Sequence, residues 1–147
     1  MPEIEPRFAA TSVLIADDDP AFRYLMRTCL LRQGYEVLEA SDGELALDVL
    51  ASNAKPDVVV LDVLMPRCSG LGVLEILGRF GKAPPTLMVT GFVDRSIDLL
   101  AMRLGAFRVF HKPFALDDLV TGVFEAAKSS RRATSPQAPR TRDISRA

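Results

Sequence analysis

Short, solid apolar runs alternate along this chain with longer stretches in which apolar residues recur every three or four positions. The runs are Ser12–Asp17 (SVLIAD), Tyr35–Ala40, Val58–Asp62 (VVVLD), Thr86–Thr90 (TLMVT) and Phe107–His111. They are rich in β-branched residues and bounded by turn formers, which predicts five strands. Phe22, Leu25, Met26, Cys29 and Leu30 form a helical stripe between the first two. It starts at Asp19-Pro20, a cap followed by proline at the first helical position, and Gly34 stops it. Ser41-Asp42-Gly43-Glu44 fits a capping box, with Ser41 as the cap and Glu44 reaching back, and Leu45 to Asn53 continues that helix. Gly70 to Phe80, Asp94 to Leu104 and Ala115 to about Lys128 complete five predicted helices.

Strands and helices that alternate at this length predict an α/β fold with a parallel sheet. A strand as uniformly apolar as VVVLD needs cover on both faces. With right-handed crossovers, five units suit a flavodoxin-like (βα)5 three-layer sandwich of sheet order 2-1-3-4-5. In that order the site lies at the carboxyl ends of strands one and three.

Composition narrows the setting. The 147 residues are a one-domain length, enough to bury a full core without staples. Cys29 and Cys68 have no metal or disulfide spacing, so a reducing cytoplasm is expected. The acidic start, MPEIEPRFAATS, lacks the apolar segment of a signal peptide, and no apolar run is long enough to span a bilayer. Net charge is −1, yet residues 129–147 carry five arginines against one aspartate. That stretch is rich in Ser and Pro and is read as a disordered basic tail. The expected organisation is an N-terminal extension over residues 1–10, a folded domain over 11–128 and the tail over 129–147. Without aromatics or a folded basic surface, the tail is a solvated extension rather than a nucleic-acid arm.

The chemistry gathers at one rim. Asp17 and Asp18 end strand one, Asp62 ends strand three, Thr90 ends strand four, and Lys112 follows strand five. Three carboxylates that converge there repel one another, which a hard divalent cation relieves. Mg²⁺ takes one or two carboxylates and leaves room for waters or phosphate oxygens. One carboxylate can then act as nucleophile toward a phosphoryl group, while Lys112 and the Thr90 hydroxyl neutralise its oxygens. Taken singly, Asp17-Asp18-Asp19 could be helix-capping acids, Asp62 a turn former, Lys112 a solvated charge and Thr90 a plain strand residue. Asp19 keeps the capping role. The agreement of position across four strand ends sets the others aside. His111, the only histidine, is read as an ordinary strand-end residue on the pleat face opposite Phe110.

VLIADDDPAFR, VVVLDVLMPRCSG, LMVTG and HKPF resemble, in order and spacing, the four signature segments of response-regulator receiver domains over about residues 12–127. The resemblance implies that Asp62 is the phosphoacceptor. It implies that Asp18 and Asp62 ligate Mg²⁺ (or Mn²⁺) directly, Asp17 through water, and Leu64 through its backbone carbonyl. Thr90 and Lys112 would contact the phosphoryl group, and the Lys112–Pro113 bond would be cis. Implied partners are a sensor histidine kinase or histidine phosphotransfer protein and a downstream output protein. The face made by the fourth helix, fifth strand and fifth helix is a candidate homodimer face. No second domain follows residue 128, so output is expected through a partner surface, with no enzymatic activity beyond the domain's own aspartyl phosphorylation and dephosphorylation. Val109 stands where the family usually has Tyr or Phe, which leaves the aromatic part of the usual switch unfilled. The rival readings are a phosphorylation-independent scaffold of the same fold, a flavodoxin-like cofactor binder and a DNA-binding regulator. DDDPAF would repel a cofactor phosphate, and no helix-turn-helix is present.

Overall fold

The computed structural model describes residues 11–133, the side chains of 131–133 excepted. Five strand–helix units follow one another: β1 Ser12–Ala16, α1 Pro20–Arg32, β2 Glu36–Ala40, α2 Gly43–Ala51, β3 Val58–Asp62, α3 Gly70–Gly78, β4 Thr86–Thr90, α4 Arg95–Arg103, β5 Arg108–His111 and α5 Leu116–Ala133. The strands form one parallel sheet of order β2-β1-β3-β4-β5, as the alternation predicts.

The strand pleat divides the core. Val13, Ile15, Val58, Val60, Leu87, Val89 and Phe110 face one layer, made by Met26 and Leu30 of α1 and Leu119, Val123, Ala126 and Ala127 of α5. Leu14, Ala16, Val59, Leu61 and Met88 face the other, with Ala46 of α2, Val73, Leu74 and Leu77 of α3 and Ala101 of α4. Successive side chains point to opposite faces, so a strand covered on both sides must be apolar throughout. Every residue of β3 and β4 is buried, as that rule demands.

Three details differ from the sequence reading. The α2 cap is Asp42, not Ser41: its Oδ1 accepts the Leu45 N–H at 2.8 Å. Its Oδ2 accepts two bonds from Arg67, at 3.0 and 2.8 Å. The Leu45 N–H first, and Arg67 after it, hold the Asp42 carboxyl below the usual carboxylate range against the opposing effect of burial. A hydroxyl cap offers no second oxygen to such a partner, and Arg67 is too distant in sequence to be foreseen. Leu25 is exposed although it falls in the α1 apolar stripe, whose buried members are Met26 and Leu30. Finally, α5 runs on to Ala133 rather than ending at Lys128. Residues 129–133 contain no Gly or Pro to stop a helix. The rest of the predicted tail and the N-terminal extension lie outside the described residues.

The loop from β3 to α3 is fastened to the start of α2. Besides the Arg67–Asp42 pair, the Gly43 N–H donates to the Pro66 carbonyl at 3.3 Å. A Cβ at Gly43 would overlap the Cys68 carbonyl oxygen, and one at Gly70 would overlap that of Asp62. Backbone atoms cannot step aside as a flexible side chain does, so these glycines permit the close approach. Gly43→Ala is expected to lower stability by about 2 kcal/mol or more in urea unfolding. Gly78→Ala, with nothing within 4 Å of its added Cβ, should raise it by about 0.5–1 kcal/mol. Equal effects from the two would mean that the β3–α3 loop does not press on α2.

Candidate functional site

The site grows out of the strand ends. Registers Ala16↔Leu61, Asp62↔Val89 and Thr90↔His111 bring the carboxyl ends of β1, β3, β4 and β5 level. Asp17 and Asp18 leave β1, Asp62 and Thr90 finish β3 and β4, and Lys112 leaves β5. All five sequence-predicted side chains therefore meet. Asp18, Asp62, Leu64, Thr90, Gly91, Phe92 and Lys112 line a cavity of about 340 Å³.

The carboxylates differ in surroundings. Asp17 is buried and well satisfied: Oδ1 accepts the Asp19 N–H at 2.9 Å, and Oδ2 accepts from Lys112 Nζ at 3.2 Å. Its backbone carbonyl accepts from Arg23 Nη1 at 2.8 Å. Asp18 is exposed at the mouth. Asp62 is buried, and its Oδ2 lies 3.9 Å from Lys112 Nζ, a looser approach than that of Asp17. Burial first, then the Asp17 charge, push the Asp62 pKa from 3.8 to about 6; Asp18 adds to this, while Lys112 and the Leu64 N–H oppose it.

One carboxylate oxygen from each of Asp17, Asp18 and Asp62 lies within 4.8 Å of the others. Three hard oxygen donors that close, with charge left over, fit a divalent cation of the Mg²⁺ kind. Leu64 also lines the cavity.

The remaining predicted groups have definite partners. The Thr90 hydroxyl accepts the Phe92 N–H at 3.0 Å, which leaves its own proton to donate. The Lys112–Pro113 peptide is cis. Val109 packs half-buried against the core layer that contains Ala101, Ile97 and Leu104. Sequence reasoning missed two groups. His111 is not merely a strand-end residue: its Nε2 lies 2.9 Å from Asp98 Oδ2 of α4. Phe22 belongs to more than the α1 stripe, since its ring faces Lys112 Nζ. Neither partner is near in sequence, so no local signal marked them.

Comparisons with known proteins agree with this geometry. A family model described as the response regulator receiver domain matches residues 13–124. The response regulator MprA of Mycobacterium sp. (strain KMS) is 40% identical over 124 residues, covering 84% of this chain and 52% of that protein. The chain thus spans about half the length of such curated relatives. The solved Francisella response regulator 1452 receiver domain superposes with a TM-score of 0.78 at 28% identity, over 82% of this chain and 98% of that one. A CheY-like receiver domain protein from Methanospirillum hungatei JF-1 gives 0.79 at 24% identity, over 84% and 98%, and shows the fold alone.

The raised Asp62 pKa has a stability consequence. Between pH 3.8 and about 6 the folded state holds a proton that the unfolded state has released. Stability of the metal-free protein therefore falls as pH rises through this window. Asp62→Asn should remove that slope and make the metal-free protein more stable than wild type at pH 7. Mg²⁺ should raise the wild-type melting temperature at pH 7 and affect Asp62→Asn less. Melting curves from pH 4 to 7, with and without Mg²⁺, decide it. A wild-type slope of the opposite sign, unchanged in the mutant, would refute the electrostatic account.

Proposed function

The chain belongs to the response regulator receiver domain family of two-component signalling, and we propose that it accepts a phosphoryl group on Asp62 and signals through a partner surface. The observation that carries this reading is the unequal sharing of Lys112. Asp17 holds the ammonium at 3.2 Å and Asp62 at 3.9 Å, so Asp62 is the least neutralised buried carboxylate at the rim. With a pKa raised to about 6 it is mostly ionised at neutral pH, yet more basic than an ordinary aspartate. That combination suits a nucleophile.

The residues divide the work as follows. An Asp62 oxygen attacks phosphorus, and the bond from phosphorus to the donor (a phosphohistidine nitrogen, or the oxygen of a small acyl phosphate) breaks with its electron pair leaving on the donor. Lys112 and the Thr90 hydroxyl donate to the phosphoryl oxygens. Asp18, Asp62, the Leu64 carbonyl and, through water, Asp17 would hold Mg²⁺, with Mn²⁺ as a substitute. Bound there, the ion supplies charge neutralisation for the transferring group. Beyond this self-phosphorylation and its reversal we assign no catalysis.

The donor in this reading is a sensor histidine kinase or histidine phosphotransfer protein, and the recipient of the signal a downstream output protein. The α4–β5–α5 face, where Leu99 and Met102 are exposed, is available for output or for a homodimer. Among the described residues no helix is long and apolar enough to cross a membrane. A phosphorylation-independent scaffold is the alternative. It gives no reason to keep three mutually repelling carboxylates beside a shared lysine.

Incubation with acetyl phosphate and Mg²⁺ is expected to add one phosphoryl group by mass spectrometry, acid-stable and base-labile, and Asp62→Asn should acquire none while melting as a folded protein. An equal mass gain in the mutant would move the acceptor elsewhere; no gain in wild type would favour the scaffold.

The cavity mouth bears on lifetime. Leu64 and Phe92 are exposed side chains on its lining, and neither can hold a water by hydrogen bonding. They shield the phosphorus from in-line attack, so the phosphoryl group should persist. Leu64→Asn combined with Phe92→Glu should speed hydrolysis by about tenfold, or ~1.4 kcal/mol of barrier. A double mutant no faster than wild type would rule out shielding.

A further inference from the structure

We propose that Phe22 is a positioning residue for Lys112: the face of its ring holds the ammonium group beside Asp17 and Asp62, ready for the incoming phosphoryl oxygens. The inference rests on the phosphoacceptor reading of the site. Lys112 Nζ lies 4.4 Å from the centroid of the Phe22 ring, well inside the range of cation–π attraction. The ammonium is thus shared by an aromatic face and two carboxylates.

The ring is itself braced. Phe114, just past the cis peptide, stands edge-on to Phe22 at 5.7 Å and 90°. Phe110 of β5 packs against Phe114 at 5.4 Å, and the Arg108 guanidinium lies over Phe110 at 4.5 Å. Three rings from α1, β5 and the segment after β5 therefore make a continuous support that ends on the lysine. Edge-to-face pairs fix ring direction more sharply than aliphatic packing does.

The chemistry gives this support a use. A lysine ammonium is a point charge on a long, flexible stem. Ordering it before the phosphoryl group arrives removes that ordering from the barrier. A ring face attracts the charge without offering a lone pair, so the N–H donors stay free for carboxylate and phosphoryl oxygens. An aliphatic side chain at position 22 would fill the same space against Phe114 but would not attract the ammonium.

Two measurements test it with the full chain. In NMR spectra of the unphosphorylated protein, the Lys112 ε-methylene protons should lie upfield of the ordinary lysine range, shifted by the ring current. The shift should vanish in Phe22→Leu and persist in Phe22→Tyr; Lys112→Met assigns the signal. With acetyl phosphate and Mg²⁺, Phe22→Leu should be phosphorylated roughly two- to fivefold more slowly, and Phe22→Tyr should match wild type. An unshifted Lys112 signal in wild type overturns the proposal, and this readout stands even if Phe22→Leu fails to fold. So does a folded Phe22→Leu as fast as wild type, or a Phe22→Tyr as slow as Phe22→Leu. If wild type itself takes no phosphoryl group, the site reading has failed, and the NMR shift still decides whether the ring holds the lysine.

Discussion

One lysine sits against two of the three carboxylates that the strand ends gather at a single rim. Two of them, Asp17 and Asp62, are buried, and Lys112 is the cation that reaches both. A buried ion pair is a poor source of stability, because desolvation offsets the attraction. Its value lies in how the charge is distributed. Asp17 has the Asp19 N–H and the nearer contact to Lys112, whereas Asp62 is left short of compensation. A rim balanced this way is neither neutral nor torn apart. It retains negative charge of the kind that a divalent cation relieves.

The fold supplies the imbalance by placement. Asp62 finishes a strand whose every residue is buried, so the last side chain of β3 inherits the dry surroundings of the sheet centre. Asp18, one residue beyond Asp17 and off the strand, is exposed. Two neighbours in sequence thus sit in very different surroundings because one is the first residue past the sheet and the other is already in the turn. Burial at the end of β3 raises the pKa of Asp62 more than any neighbouring charge does.

Much of this was legible in the sequence because it depends on local pattern. The elements and the two core layers follow from the apolar pattern, and the flavodoxin-like strand order that five such units suit brings Asp17, Asp18, Asp62, Thr90 and Lys112 together. The parts that escaped depend on pairs distant along the chain. Asp42 rather than Ser41 caps α2 because Arg67 arrives from the β3–α3 loop to use the second oxygen. Arg67 has a φ of 63°, a left-handed conformation that its side-chain pair helps to hold and that its residue type does not announce. Phe22 reads as one member of an apolar stripe until Lys112 is seen above it. The end of α5 is hidden for another reason: composition turns polar after Lys128, yet polar residues without Gly or Pro continue a helix readily, and α5 runs to Ala133.

The same long-range pairs define how a change at Asp62 can travel. Thr90 is joined to the β4–α4 turn by the Phe92 N–H, so a shift of its hydroxyl toward Asp62 draws on the segment that leads into α4. Further along, α4 is tied to β5 by Asp98 and His111, at the register where β5 lies beside Thr90. The turn before α4 is thus joined to Thr90, and the first turn of α4 to the end of β5. Val109, small and half-buried against the same core layer as Ala101, has no ring to swing between inward and outward positions. A side-chain contact between Asp98 and His111, with no aromatic ring at position 109, thus joins α4 to the end of β5 beside Thr90.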